Sequence, residues 1–258
     1  ETILITTDTL EVKVSLTDGS VVSAKLLKYP EVFGLEEKKV QLLSDSSQSY
    51  IAKIGLQSKT LGQPKSYIAK QKEYTLGDRD RLVVELVGQK DDSTMITKRY
   101  IFEKTSHLIS VDQVVKNISN ETVSWRQYYS LERGDEQSSN AMLYTYTGAA
   151  FYDDEEKFSK LSFSDIESSN FLRNTSGSWI SMIEHYFFTA WLPDETTNEP
   201  QTIYTRFLNN SSGKSYLIGS VGNYKNIEPD MEVTFNSRLY VGPKTQAEIK
   251  ELAPGLDL

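Results

Sequence analysis

The chain has 258 residues, no cysteine and a net charge of −8, so it is long enough to bury a sizeable core and has no disulfide frame or thiol chemistry. Its acidic residues are scattered and no basic surface stands out, which argues against nucleic acid and offers no attraction to anionic lipid. No run approaches the roughly 18 apolar residues of a membrane-crossing helix.

Period-two alternation dominates the chain. Leu10 to Leu16 alternates cleanly and turns at Asp18-Gly19, with Val21 to Leu27 as the returning strand. Further strands are predicted at 49–56, 81–87, 96–102, 108–118 and 123–131, and then at 179–183, 186–192, 202–208, 216–221 and 232–241. Gly77-Asp78, Asn117 to Asn120, Asn209 to Gly213 and Glu228-Pro229-Asp230 separate them as turns. Residues 57–72 and 132–145 read as long polar surface loops, neither with the composition of an interdomain linker. Many strands at short intervals predict an all-β sandwich or barrel in a single domain.

Catalytic chemistry finds little to use. Two histidines, His107 and His185, stand far apart. His107 reads as an exposed loop residue at a strand start, and His185 as a strand residue beside Tyr186. Gly213-Lys214-Ser215 lacks the earlier glycine of a phosphate-binding loop, because Leu208 stands there, so a hairpin turn is the better account. The same turn chemistry accounts for Ser211 and Lys214, which match a serine–lysine pattern by chance. Asp153-Asp154-Glu155-Glu156 lacks the alternating ligands and central glycine of a calcium loop, and reads as a solvated turn. No metal and no cofactor is expected. Asn117, Asn120, Asn174, Asn209 and Asn210 each begin an Asn-x-Ser/Thr triplet and read as turn residues.

Aromatic residues offer the strongest interaction candidate. Phe151, Tyr152, Phe158, Trp179, Tyr186, Phe187, Phe188 and Trp191 fall close together, with aromatics on both faces of the 186–192 strand. That strand is predicted to lie between two layers, with core packing as the plain account. Phe151, Tyr152, Trp179, Tyr186, Phe187 and Trp191 are the candidate contacts for a partner or cleft ligand.

The final segment carries a different signal. A strand through Asn236-Ser-Arg-Leu-Tyr-Val-Gly-Pro243 stops at Gly242-Pro243. Thr245 with Glu248 predicts a capping box opening a short helix, which Pro254-Gly255 ends. So short a helix is marginal alone, and Ile249, Leu252 and Leu256 are the candidate docking residues.

This closing run resembles the end of the large periplasmic domain of YidC, the bacterial membrane protein insertase. Gly148-Ala-Ala-Phe-Tyr-Asp-Asp-Glu-Glu-Lys157 and Gly177-Ser-Trp-Ile-Ser-Met-Ile183 through Phe188-Thr-Ala-Trp-Leu-Pro193 are similar to that family's blocks in order and spacing. The opening, Asp8 to Pro30, resembles its first strands, whereas 31–145 is weakly similar. The resemblance implies an all-β, galactose mutarotase-like β-supersandwich with a short C-terminal α-helix. It implies a non-catalytic periplasmic body over 1–243, and over 244–258 a helix leading to a transmembrane insertase core absent from this sequence. Its implied partners are nascent membrane proteins, its own transmembrane part and the SecD/SecF components of the Sec translocon. The implied setting is the bacterial inner membrane, facing the periplasm. Two rivals remain: an aldose epimerase-like carbohydrate enzyme on the same fold, using His185, and a peptide- or ligand-binding module using the sandwich cleft.

Overall fold

The structure is a computed structural model, and it describes residues 1–31, 34, 36–46, 49–64, 66–88, 93–134, 148–184, 186–194, 198–210, 213–245 and 249–256. The first strands are β1 (Thr2–Thr6), β2 (Leu10–Ser15), β3 (Val21–Pro30), β4 (Lys39–Leu43), β5 (Tyr50–Ser58), β6 (Tyr67–Ala69) and β7 (Glu73–Thr75). There follow β8 (Arg81–Gly88), β9 (Thr94–Glu103), β10 (Leu108–Asn117), β11 (Val123–Gly134), β12 (Gly148–Asp153) and β13 (Lys157–Leu161). After the helix α1 (Phe163–Ser168) come β14 (Leu172–Ser176), β15 (Trp179–Ile183), β16 (Phe187–Pro193), β17 (Pro200–Asn210), β18 (Gly213–Gly222), β19 (Lys225–Ile227) and β20 (Glu232–Pro243).

Two sheets face each other. The first runs β14-β17-β18-β11-β5-β3-β2-β1-β7, with β19 joined to β11 and β4 to β3. The second runs β13-β12-β15-β16-β20-β10-β9-β8-β6. Among the described residues, pairing is antiparallel apart from β1 with β7. Strands with one solvated face keep strict alternation, as in β2, where Leu10, Val12 and Val14 point inward. Val12, Ile54, Trp125, Leu131, Ile203 and Ile218 of the first sheet meet Val111, Phe151, Ile180, Trp191 and Leu239 of the second in one main core. The tight interdigitation of two inner faces is what holds such a sandwich.

One polar group crosses that core. Lys98 of β9 is fully buried, and its Nζ donates to the carbonyl oxygens of Ile54, at 2.6 Å, and Asp18, at 3.0 Å. Burial lowers its pKa to about 7, an effect that the charge of Asp18 partly offsets. The predicted Asp18-Gly19 turn thus reaches the second sheet: Gly19 takes a φ of +71° and a side chain there would meet Lys98 Nζ at 2.6 Å. Tyr100 adds a hydrogen bond from its hydroxyl to the Gly19 carbonyl oxygen.

The structure revises several expectations. Tyr67 to Ala69 lies inside the predicted 57–72 loop but is strand, with Tyr67 buried, because it closes the edge of the second sheet on β8. β11 runs to Gly134, into the predicted 132–145 loop, whose remaining part, 135–145, lies outside the described residues. Helix α1 was not expected, although Ser162 and Asp165 form a reciprocal capping box there. At the other end, Ile249 is helical, as the predicted helix after Lys244 requires, and hydrogen-bonded turns continue from it to Leu256. Ile249 N–H donates to Thr245, Leu252 N–H to Ile249 and Leu256 N–H to Ala253, while Glu248 of the expected capping box lies outside the described residues.

Candidate functional site: the outer face of the second sheet

Strands β12, β15, β16 and β20 are covered on both sides. Their inward side chains belong to the main core, and their outward ones form a second cluster of Tyr152, Trp179, Phe188, Ala190, Leu192 and Tyr240. Outward rings of that size need a cover, and the C-terminal segment supplies it. Ile249 and Leu256 are buried members of this cluster, with Leu252 and Ala253 packed against it.

Polar contacts fix the segment in place. Trp179 Nε1 donates to the Pro254 carbonyl oxygen at 2.9 Å. Arg238 donates from Nη2 to Leu252 O at 3.1 Å and from Nε to Pro193 O at 3.2 Å, so one guanidinium ties β16 to the segment. Tyr240 OH donates to Pro243 O at 2.8 Å where the chain leaves β20. Lys244 N–H donates to Tyr186 O at 2.9 Å, and burial, with Lys160 nearby, lowers the pKa of the Lys244 side chain. The rings beneath are ordered among themselves. Tyr152 stacks on Trp179 with centroids 5.9 Å apart, and Phe188 on Tyr240 at 4.9 Å.

The predicted contact residues therefore divide. Phe151 and Trp191 point into the main core and Tyr152 and Trp179 into the covered outer cluster, so none of the four presents a surface to a partner. Phe187 is half-buried against the main core. Tyr186 is 70% exposed because it sits at the bend before β16, outside the strand in which alternation placed it. Arg238 and Tyr240 do as much as any of these to hold the segment, and only their place in the 236–243 run marked them. Nothing local to Arg238 shows that it reaches Leu252.

The chemical candidates take structural places. His107 is buried, against the expectation of an exposed loop, because Gly242 of β20 has no side chain to occupy its place: a Cβ there would stand 2.8 Å from the His107 Cβ. Its ring lies between Tyr29 and Tyr240. His185 lies outside the described residues. Asp153 is buried, against the expectation of a solvated turn: its carboxylate accepts from Glu155 N–H, Glu156 N–H and Arg173 Nη1, closing the β12–β13 hairpin. Asn117 is buried too. Its amide donates to Glu121 O and Ile227 O while its oxygen accepts from Ser119, so it builds a turn from the inside. Gly213 to Ser215 opens β18 in a hairpin with β17.

A cavity of about 110 Å3 opens where the sheets part, lined by Gln127, Tyr129, Gln201, Lys225 and Phe235. It is smaller than the roughly 300 Å3 at which ligand pockets begin. Its polar groups are engaged with one another: Tyr129 OH donates to Gln201 Oε1, and Gln201 Nε2 donates to Ser178 O. Burial pushes the Tyr129 hydroxyl up to about 12, so it stays protonated at neutral pH.

Comparison with known proteins adds the remaining facts. Residues 2–258 match the family model of the YidC periplasmic domain. The Membrane protein insertase YidC of Thioalkalivibrio sulfidiphilus is 33% identical over 99% of this chain and 47% of its own length. That of Methylobacillus flagellatus is 35% identical over 86% of this chain and 40% of its own. The chain thus spans about half the length of such relatives or less. Among solved structures, a galactose mutarotase related enzyme from Lactobacillus acidophilus superposes with a TM-score of 0.60 at 9% identity, covering 93% of this chain and 97% of that one. A galactose mutarotase-like protein from Lactobacillus casei does so with a TM-score of 0.60 at 7% identity, covering 94% and 100%. At such identities the likeness extends to the fold alone.

Proposed function

Since the chain belongs to the YidC periplasmic domain family, we propose that it serves as the non-catalytic, partner-docking domain of a bacterial inner-membrane insertase. In this reading residues 1–243 are a rigid periplasmic body. Residues 244–258 are its connection to the transmembrane part, which inserts and folds nascent membrane proteins. The observation that carries the proposal is the seating of Ile249, Leu252 and Leu256 on the outer aromatic cluster. A connection pinned to a rigid body transmits a defined orientation to whatever it joins, whereas a free tether does not. The epimerase reading has less behind it, because mutarotase-like neighbours share the fold at under a tenth identity and the relatives are named insertases.

Components such as SecD and SecF are the proposed docking partners. A photo-activated cross-linker placed at Tyr186 in the full-length protein, within inner-membrane vesicles, tests this directly. Adducts with SecD or SecF are expected. Absence of any adduct from Tyr186 and from a panel of other exposed positions overturns the docking role. This chain alone, added to liposomes during synthesis of a single-span membrane protein, is expected to insert nothing, and insertion by it would move the activity into this domain.

A further inference from the structure

The outward face of the first sheet carries two tyrosines that lie flat because glycines sit beneath them. Tyr128 of β11 covers Gly55 of β5, where an added Cβ would stand 2.5 Å from its hydroxyl. Tyr204 of β17 covers Gly219 of β18 in the same way, at 2.5 Å from the ring. Two arginines extend this floor. Arg206 stacks on Tyr204, and Arg126 lies over Tyr224, which Lys59 also approaches. Arg126, Tyr128, Tyr204 and Arg206 line one open groove together with Gln57 and Gln63.

Charge is what sets this groove apart. In a chain of net charge −8, Arg126, Arg206 and Lys59 have no carboxylate partner among the described residues, and Arg126 spends its donors on the neutral Gln57. Lys53 on the same face is neutralised by Glu132 at 2.7 Å. Register sets the length of the groove. The row of Arg206 passes through Leu217 and meets β11 at Glu132, six residues along that strand from Arg126 and two strands across. The two arginine Cα positions are therefore roughly 22 Å apart, about the span of seven extended residues.

We propose that this groove binds an extended, acidic stretch of polypeptide, laid diagonally across β11, β18 and β17 with carboxylates at Arg126 and Arg206 and its middle over the two tyrosines. Flat aromatic rings supply contact area at little entropic cost, and the arginines offer paired donors suited to carboxylates. The inference stands on the groove itself and does not need the insertase reading.

The test uses a fluorescein-labelled heptapeptide with aspartate at both ends and alternating serine and leucine between, followed by anisotropy. Saturable binding below about 1 mM is expected, with at least a tenfold loss in the R126Q/R206Q double variant and weakening in salt. The charge-reversed R126E/R206E variant should prefer the same peptide ended in lysine. No saturable binding, equal binding of the asparagine-ended peptide, or equal binding by the glutamine variant each overturns the proposal. Stronger binding of maltoheptaose would make the occupant a sugar, and a dimer that disappears in the variant would make it a second copy; both also overturn it.

Discussion

The indole of Trp179 and the carbonyl of Pro254, 75 residues apart in sequence, are joined by a 2.9 Å hydrogen bond on the outer face of the second sheet. Replacing Trp179 with Phe keeps an aromatic ring in the slot and removes the donor. A loss of about 1 kcal/mol is expected, felt mainly between residues 249 and 256. Amide exchange reads it: the N–H groups of Ile249, Leu252 and Leu256 should exchange faster while β10 and β20 stay protected. Unchanged exchange in the segment would show that packing alone holds it.

Paired substitution Ile249→Asp with Leu252→Asp should undock the segment, because a carboxylate cannot remain unpaired among Tyr152, Trp179 and Tyr240. The segment opens instead of the sandwich, so the main unfolding transition is expected to stay within a few degrees of the wild type. Protease cutting after Lys250 should accelerate strongly. For contrast, Trp191→Ala in the main core should cost roughly 3–5 kcal/mol.

Lys98 predicts an unusual alkaline trend. Its pKa is about 7 in the folded protein against an ordinary 10.5 when unfolded. Between those values the unfolded chain holds more protons, so stability should rise with pH, by up to about 1.4 kcal/mol per unit. Near pH 10 the raised pKa values of buried Tyr67 and Tyr100, caused mainly by burial, reverse the sign, since unfolded tyrosines ionise first. Denaturant melts of wild type and Lys98→Met from about pH 7 to about pH 9.5 should differ in slope, shallower in the variant, which keeps only the smaller contribution of Lys244. Parallel slopes would place the titration elsewhere.

Gly219→Ala should lift the Tyr204 ring off the first sheet. The atoms in the way are the far end of a half-buried side chain, which can swing outward. A cost of about 1 kcal/mol is expected, with the ring's nuclear Overhauser contacts to β18 lost. If Tyr204 kept those contacts, the backbone would have to have moved instead.

Much of this fold could be read from alternation. Leu10–Ser15 and Arg81–Gly88 each show one wet and one dry face, and Asp18-Gly19 names its own turn. β12 escaped, since Gly148-Ala-Ala-Phe-Tyr-Asp153 is buried throughout and has no period to detect, and β13 and β14 escaped because neither has a buried apolar face to mark it. Helix α1 escaped because only one residue in it, Ile166, is buried, leaving no apolar stripe. The family resemblance supplied the topology that periodicity could not.

The site divides along the same line. The residues alone marked Ile249, Leu252 and Leu256 as apolar and the 151–191 aromatics as a cluster, because hydrophobic character and spacing are local properties. Which aromatic faced the core, which faced the segment and which faced water was settled only in three dimensions. Phe151 and Tyr152 are neighbours in the chain, yet they serve opposite faces of one sheet. Lys98, an ordinary lysine in sequence, lost its water to the main core, where two backbone carbonyls replaced it. Burial belongs to the packing of distant strands, and no single stretch of sequence contains it.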